Sequence, residues 1–233
     1  MRAAGCIIND YADRGFDRHV SRTNTRPLAT GTVSTTPAMV LFGLLILIAL
    51  MLVFQLNLKS ILLSVVALFL AILYPFTKRF TQLPQCFLGL AFSMGIPMAY
   101  AAITNTIPAE AWLIFIGNFC WIVAYDTIYA MADKEDDLLI GVKSTAILFG
   151  KADKLFIGLL HGAAFTIIGL MGYLRDSSWH FSFGIGCAIC FAIYQQFLIK
   201  DRNSQRCFQA FLNNNWVGAM IYCGIILSTI LNY

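Results

Sequence analysis

Apolar blocks of spanning length alternate with shorter polar stretches along this chain, at approximately 38–56, 60–76, 86–104, 109–126, 155–174, 181–199 and 215–231, after a short apolar stub at 1–9. A bilayer core about 30 Å thick is crossed by about 20 apolar residues in a helix, with about 17 to 25 tolerated. Backbone N–H and C=O groups in lipid must be satisfied within the spanning element itself. No block shows the two-residue alternation of a barrel strand, so the pattern predicts helices. The expected fold class is all-α: a polytopic transmembrane helix bundle of seven complete spans plus an N-terminal helix stub, forming a single membrane-embedded domain over residues 1–233.

Composition supports the same reading, since 59% of residues are hydrophobic and only 12% charged, against roughly 25% charged in a soluble domain. The lipid bilayer is the first expected partner. The net charge of +4 comes from basic residues spread over several loops without a dense run, which excludes nucleic acid as a partner. Those loop charges orient the bundle. Arg14, Arg18, Arg22, Arg26, Lys78, Arg79, Lys134, Lys143, Lys151, Lys154, Lys200, Arg202 and Arg206 fall in the polar stretches 10–37, 77–85, 127–154 and 200–214. The connections on the other side hold only Lys59 and Arg175, so the positive-inside rule places the larger loops in the cytoplasm. The seven cysteines are odd in number and five lie inside apolar blocks, so a disulfide framework is not expected. Cys187 and Cys190 are expected to serve helix packing rather than redox or metal chemistry. His19, His161 and His180 have no metal-ligand spacing and receive no function.

Two polar clusters at the cytoplasmic ends of apolar blocks carry the candidate chemistry. Asn9, Asp10, Asp13 and Asp17 fit one helix face, with Asp10, Asp13 and Asp17 at i, i+3 and i+7. The second cluster is Asp133-Lys134-Glu135-Asp136-Asp137, preceded on the incoming helix by Asp126 and Tyr129. Asp126 and Asp133 lie near two turns apart, and Asp137 follows Asp133 by four residues. An acidic run is usually a solvated face, but each of these adjoins an apolar span, where desolvating a carboxylate is costly. Each is also followed by cations: Arg18, Arg22 and Arg26 after the first, Lys143 after the second. Stacked carboxylates repel one another unless a cation sits among them, and hard oxygen donors of this kind suit Mg²⁺ bridged to phosphate. A diphosphate bound between two magnesium sites is the expected tenant.

The ordered motif set is more specific than either cluster. Asn9-Asp10-x-x-Asp13-x-x-x-Asp17 with Arg26-Pro27-Leu28 downstream, and Asp133-x-x-x-Asp137, resemble the UbiA-type membrane prenyltransferases. Ala3-Ala4-Gly5-Cys6, Tyr74-Pro75-Phe76-x-Lys78-Arg79, Tyr125-Asp126-Thr127-x-Tyr129-Ala130-Met131, Lys143-Ser144-Thr145-Ala146-Ile147-Leu148-Phe149-Gly150 and Asn213-Asn214-Asn215 are similar to the bacterial 4-hydroxybenzoate polyprenyltransferase branch. The resemblance covers essentially the whole chain. It implies a nine-span helical bundle, of which the first helix and most of the second would lie upstream of Met1. It further implies a bacterial inner-membrane enzyme of ubiquinone biosynthesis that transfers a polyprenyl group from polyprenyl diphosphate to 4-hydroxybenzoate, with Mg²⁺ as cofactor and catalytic loops facing the cytoplasm.

On that expectation Asp10, Asp13 and Asp17 hold one magnesium ion, with Asn9 as a polar partner, and Asp133 and Asp137 hold the other, with Glu135 and Asp136 in reserve. Arg22, Lys78, Arg79 and Lys143 are candidates for the diphosphate or the acceptor carboxylate. Asp126 and Tyr129 are candidates for the acceptor pocket, helix packing being the other reading of both. Two alternatives stay open at this point: a membrane prenyltransferase with a naphthoate, haem-precursor or lipid-alcohol acceptor, and an ion-coupled transporter. A transporter would favour broken helices with charges near the midplane. Here the acids gather at one face.

Overall fold

The computed structural model describes residues 1–231. Among them the regular structure is entirely helical, and seven helical segments are long and apolar enough to cross a membrane. The chain forms two compact units, one of residues 1–108 with 135–144, the other of 109–134 with 145–233.

The first unit opens with α1 (Arg2–Asp13), followed by the short α2 (Pro27–Thr30), α3 (Thr35–Val53), α4 (Leu58–Thr77), α5 (Pro84–Ser93) and α6 (Gly95–Thr104). Helix α3 is apolar on every face, as a membrane span requires. Its Val40, Leu41, Leu44, Ile48, Met51 and Leu52 are exposed in the isolated chain, where lipid would cover them. Helix α1 packs on α3 and α4, and α4 packs on α5 and α6. Asn57 caps α4 by accepting from the Ser60 amide at 3.0 Å, and its amide donates to the Ala101 carbonyl of α6. The third span is not one straight helix: α5 and α6 meet at Met94. Pro97 supplies the cause, because it has no N–H for the Ser93 carbonyl one turn back and its ring crowds that oxygen.

The second unit contains most of α7 (Ala109–Ile140), the short α8 (Thr145–Phe149), α9 (Asp153–Leu174), α10 (Trp179–Leu198) and α11 (Ser204–Leu231). Two apolar clusters form its interior, one around Ile128, Ile157, Ile199 and Ala210, the other around Phe165, Phe181, Ala188 and Val217. Polar pairs also cross this unit: Trp121 Nε1 donates to Asn214 at 2.9 Å and Gln195 donates to Asn213 at 3.2 Å. Helices α10 and α11 approach closely at Gly184 and Gly224. A Cβ on Gly184 would lie 2.6 Å from the Met220 carbonyl oxygen and 3.0 Å from the Gly224 Cα, so only a residue without a side chain allows the crossing.

The seven expected spans are present, but several helices run past the expected limits. The fourth continues from the apolar block through the acidic run to Ile140, where Gly141 at φ 73° ends it. The last begins at Ser204 rather than near 215, so most of the stretch assigned to a cytoplasmic loop is helix. Hydropathy marks where lipid is crossed, whereas a helix continues as long as its backbone bonds and one packed face hold. Cys207 and Ala210, both fully buried, supply that face here. All seven cysteines are free, and Cys190 is exposed on α10. Cys187, one turn along, is half-buried.

Candidate active site

The first acidic cluster is built where α1 ends. Asn9, Asp10 and Asp13 lie on α1, but the helix stops at Asp13, and Asp17 sits in a separate 3₁₀ turn, Asp17–His19. The single continuous stripe through Asp17 expected from the spacing is therefore corrected. The chain turns after Arg14, at the exposed Gly15, and side chains rather than helical periodicity bring Asp17 back to Asp10. Arg26 makes the link: its Nη1 lies 3.0 Å from Asp10 Oδ1 and 3.1 Å from Asp17 Oδ2. Arg26 is the residue just before Pro27 at the start of α2, and that proline fixes where the short helix begins.

Asp13 is the most buried acid of the cluster, only 3% exposed. Its Oδ2 is paired with the Lys78 ammonium at the end of α4. Its Oδ1 is buried and has no hydrogen-bond partner among the described residues. Burial pushes the Asp13 carboxyl above the ordinary carboxylate range, and the Asp17 charge adds to that, against the pull of Lys78 and Arg26. Asp10 is raised for the same first reason, opposed by Arg26 and by a hydrogen bond from Asn9. This unit thus keeps carboxylates where they are costly as anions unless cations face them.

The Lys78-Arg79 pair meets both the first cluster and the segment after α7. The Arg79 guanidinium donates to the Ala12 carbonyl at 2.7 Å and lies 5.5 Å from the Phe16 ring and 5.4 Å from the Phe76 ring. An open pocket of about 550 Å³ is lined by Arg79, Arg14, His19, Phe16, Ala12 and Ile140. The Lys143 amide donates to the Lys78 carbonyl at 3.0 Å, and its ammonium reaches the Phe80 carbonyl at 3.3 Å. Arg22 is half-buried in the connection between the 3₁₀ turn and α2.

Asp133 and Asp137 are one helical turn apart on α7, and the helix carries both past the apolar block. Asp136, held in reserve by the sequence reading, accepts from the Ser21 amide at 3.0 Å. In the second unit, Asp126 is buried and Tyr129 packs edge-on against Phe211 with ring centroids 4.8 Å apart. The structure therefore groups Asn9, Asp10, Asp13, Asp17, Lys78, Arg79 and Lys143 within the first unit. It places Asp126, Tyr129 and Asp133 in the second.

Sequence reasoning named Arg26 as a cation following the first cluster and as part of the Arg26-Pro27-Leu28 motif but gave it no individual role, and the bridge it makes between two of the acids was not read from its spacing. The pairing of Asp153 with Arg202 was also missed. An acid lying between Lys151 and Lys154 at the head of an apolar span was the only hint.

No group of three or more His, Cys, Asp or Glu side chains among the described residues converges tightly enough to cage a metal alone. Mg²⁺ does not need such a cage, because it is commonly held by one or two carboxylates, with waters and substrate phosphates completing the octahedron. A buried anionic oxygen with no partner, as at Asp13, is costly, and it is the hard donor that Mg²⁺ takes. The residues present fit the ion.

A family model described as the UbiA prenyltransferase family matches residues 1–218. A 4-hydroxybenzoate octaprenyltransferase from Coxiella burnetii (strain CbuK_Q154) is 55% identical over 229 residues, covering 98% of this chain and 79% of the relative. Among solved structures, the apo form of a UbiA homolog from Aeropyrum pernix K1 superposes with a TM-score of 0.86 at 27% identity, over 98% of this chain and 85% of that one. A UbiA homolog from Archaeoglobus fulgidus, solved with GPP and Mg²⁺, shares the fold with a TM-score of 0.67 at 18% identity, over 94% and 83% of the two chains. The chain belongs to the UbiA prenyltransferase family, and its seven apolar helices make it an integral membrane protein.

Proposed function

We propose that this enzyme transfers a polyprenyl group from polyprenyl diphosphate to the ring of 4-hydroxybenzoate, ortho to the hydroxyl, releasing diphosphate in ubiquinone biosynthesis. The identity to the Coxiella burnetii octaprenyltransferase supports the substrate pair. The observation that carries the chemistry is Asp13, a buried carboxylate with one oxygen on Lys78 and the other without a hydrogen-bond partner among the described residues.

Asp10, Asp13 and Asp17, with Asn9 beside them, are assigned to one Mg²⁺, and Asp133 and Asp137 to a second. The solved relative with GPP and Mg²⁺ supports the choice of ion. When bound, Mg²⁺ neutralises charge developing on the leaving diphosphate. The chain's own cations act on the same group: Lys78 is already fixed at the cluster, and Arg22, Lys143 and Arg26 are the further donors for diphosphate oxygens. Such preorganised donors favour breaking of the allylic C–O bond, because their charge is in place before the oxygen becomes anionic. The electron-rich ring carbon then forms the new C–C bond, and loss of its proton restores aromaticity. Arg79, whose guanidinium borders an open pocket beside the Phe16 and Phe76 rings, is a further candidate for the diphosphate or the acceptor carboxylate. Asp126 and Tyr129 are assigned to the acceptor pocket in the second unit. Burial at the ends of membrane spans would keep water from quenching the allylic cation. Residues 1–233 work as one prenyltransferase domain in the bacterial inner membrane, with the acidic motifs on the cytoplasmic side, where the loop cations gather.

The test is incubation of the purified chain in bilayers with labelled 4-hydroxybenzoate and a polyprenyl diphosphate. Prenylated 4-hydroxybenzoate and an equal amount of diphosphate are expected, both dependent on Mg²⁺. Absence of ring prenylation with this acceptor, while a naphthoate or lipid alcohol is prenylated, would overturn the acceptor assignment.

A further inference from the structure

Two connections within the second unit concentrate basic residues that the proposed chemistry does not use. Lys151 and Lys154 lie where the chain enters α9, and Lys200, Arg202 and Arg206 lie where it leaves α10 and enters α11. Basic residues near span ends are ordinary. Here, however, the two connections are tied to each other. The Lys154 ammonium donates to the Lys200 carbonyl at 3.0 Å, the Arg202 guanidinium to the Lys151 carbonyl at 2.8 Å, and the Gln196 amide to the Lys154 carbonyl at 3.3 Å. Arg202 takes a left-handed backbone, φ 55°, which is unfavourable for a residue with a side chain. The buried Asp153 holds it there, accepting from Nε at 2.9 and 3.1 Å and from Nη2 at 2.8 Å.

The charges at this corner do not cancel. Asp153 is fully buried, and its single charge faces both Arg202 and Lys134, at 2.8 and 3.6 Å. Asp201 lies 3.3 Å from Arg206. Among the described residues no carboxylate pairs with the ammonium of Lys151, Lys154 or Lys200. Lys151 and Lys200 are exposed. Beside them Leu155 on α9 and Phe197 on α10 are 62% and 69% exposed in the folded chain. Large apolar side chains uncovered on spanning helices face lipid, so the lysines next to them stand where the headgroup layer begins.

We propose that this corner of the second unit binds an anionic phospholipid of the surrounding bilayer, with its phosphate on Lys151, Lys154 and Lys200 and its acyl chains against Leu155 and Phe197. A single lysine at a membrane surface attracts anionic lipid weakly. Three held together by the tie between the connections, with no acid left to neutralise them, favour a headgroup of net negative charge. They disfavour a zwitterionic one, whose own ammonium they repel. The site is confined to the second unit and holds whichever way the chain faces.

The experiment titrates the full chain in detergent micelles with phosphatidylglycerol or phosphatidylcholine and counts bound lipid by native mass spectrometry. The parent is expected to bind phosphatidylglycerol several times more tightly than phosphatidylcholine. Lys151→Gln with Lys200→Gln should weaken phosphatidylglycerol binding by at least about fivefold, the effect of roughly one lysine at an anionic surface, and leave phosphatidylcholine binding unchanged. Lys151→Arg with Lys200→Arg should keep the parental preference, since the charge is kept. Lys59→Gln, which removes a cation from the other ends of the spans, should stay within about twofold of the parent, as an exposed substitution elsewhere does. The single glutamine variants, each expected to lose part of the affinity, carry the test if the double one does not fold. Parental phosphatidylglycerol binding in the glutamine variants, or equal affinity of the parent for the two lipids, would overturn the proposal. Excess inorganic phosphate should not displace the lipid, and displacement would show a site for the free anion instead of a lipid.

Discussion

At the scale of single residues, the enzyme concentrates charge where burial makes charge expensive. Asp13 is the sharpest case, because Lys78 satisfies one oxygen and nothing among the described residues satisfies the other. Removing one ionic donor from such a site typically costs on the order of a hundredfold or more in rate. Asp13→Asn is accordingly expected to lower prenyl transfer by at least about a hundredfold while the protein still inserts, measured as product formation per mole of membrane-inserted chain. Asp176→Asn is the comparison, since Asp176 is exposed in the connection between α9 and α10, and it should change the rate by less than about twofold. Equal losses in the two would point to a folding defect and away from the assigned role. Metal removal tests the same cluster from the other direction. Chelation should abolish transfer and added Mg²⁺ restore it, and undiminished turnover in excess chelator would contradict the metal assignment.

At the scale of elements, packing depends on small residues as much as on apolar ones. The Gly184–Gly224 crossing leaves no room for a methyl group against the Met220 carbonyl, which is backbone and cannot rotate away. Gly184→Val is expected to separate α10 from α11 and lower the thermal midpoint by several degrees, since overpacking costs about 1–3 kcal/mol. Gly186 has open space at its Cβ position, so Gly186→Ala should leave the midpoint nearly unchanged, and a similar drop in both would argue against the crossing as the cause. These contacts also show what the sequence made legible. Seven spans could be read from apolar length alone, because crossing lipid leaves the backbone few alternatives. The reach of α7 to Ile140 and of α11 back to Ser204 could not, because helical hydrogen bonding does not stop where hydropathy does. The same limit applies in the site: Asp10 and Asp13 share α1 as their spacing suggested, whereas Asp17 rejoins them through Arg26 after the helix has ended. That link depends on a turn and a distant guanidinium, and i, i+7 spacing carries no information about either.

At the scale of the whole molecule, the remaining question is which way the chain faces, and charge offers the physical argument. Basic residues near span ends resist translocation, so the side that holds Arg14 through Arg26, Lys78, Arg79, Lys143, Lys200 and Arg206 should be cytoplasmic, opposite Lys59 and Arg175. The helix limits make this testable at defined positions. Asn24, Gln82 and Gln205 are exposed outside or at the ends of helices on the basic side, and Thr106 lies in the connection between α6 and α7 on the other. Single cysteines at these four positions need a background without the native thiols. Cys6, Cys190 and Cys223 are exposed and easily replaced by serine, but Cys207 is fully buried in the core around Ile128 and Ile157 and should be replaced by alanine to avoid burying a hydroxyl. In intact cells an impermeant maleimide should label the cysteine at position 106 and spare those at 24, 82 and 205 until the membrane is opened. The enzyme's donor and acceptor would then meet the acidic motifs from the cytoplasm. Labelling of 24 or 82 in sealed cells would reverse the orientation and place the carboxylates proposed to be catalytic on the outer face.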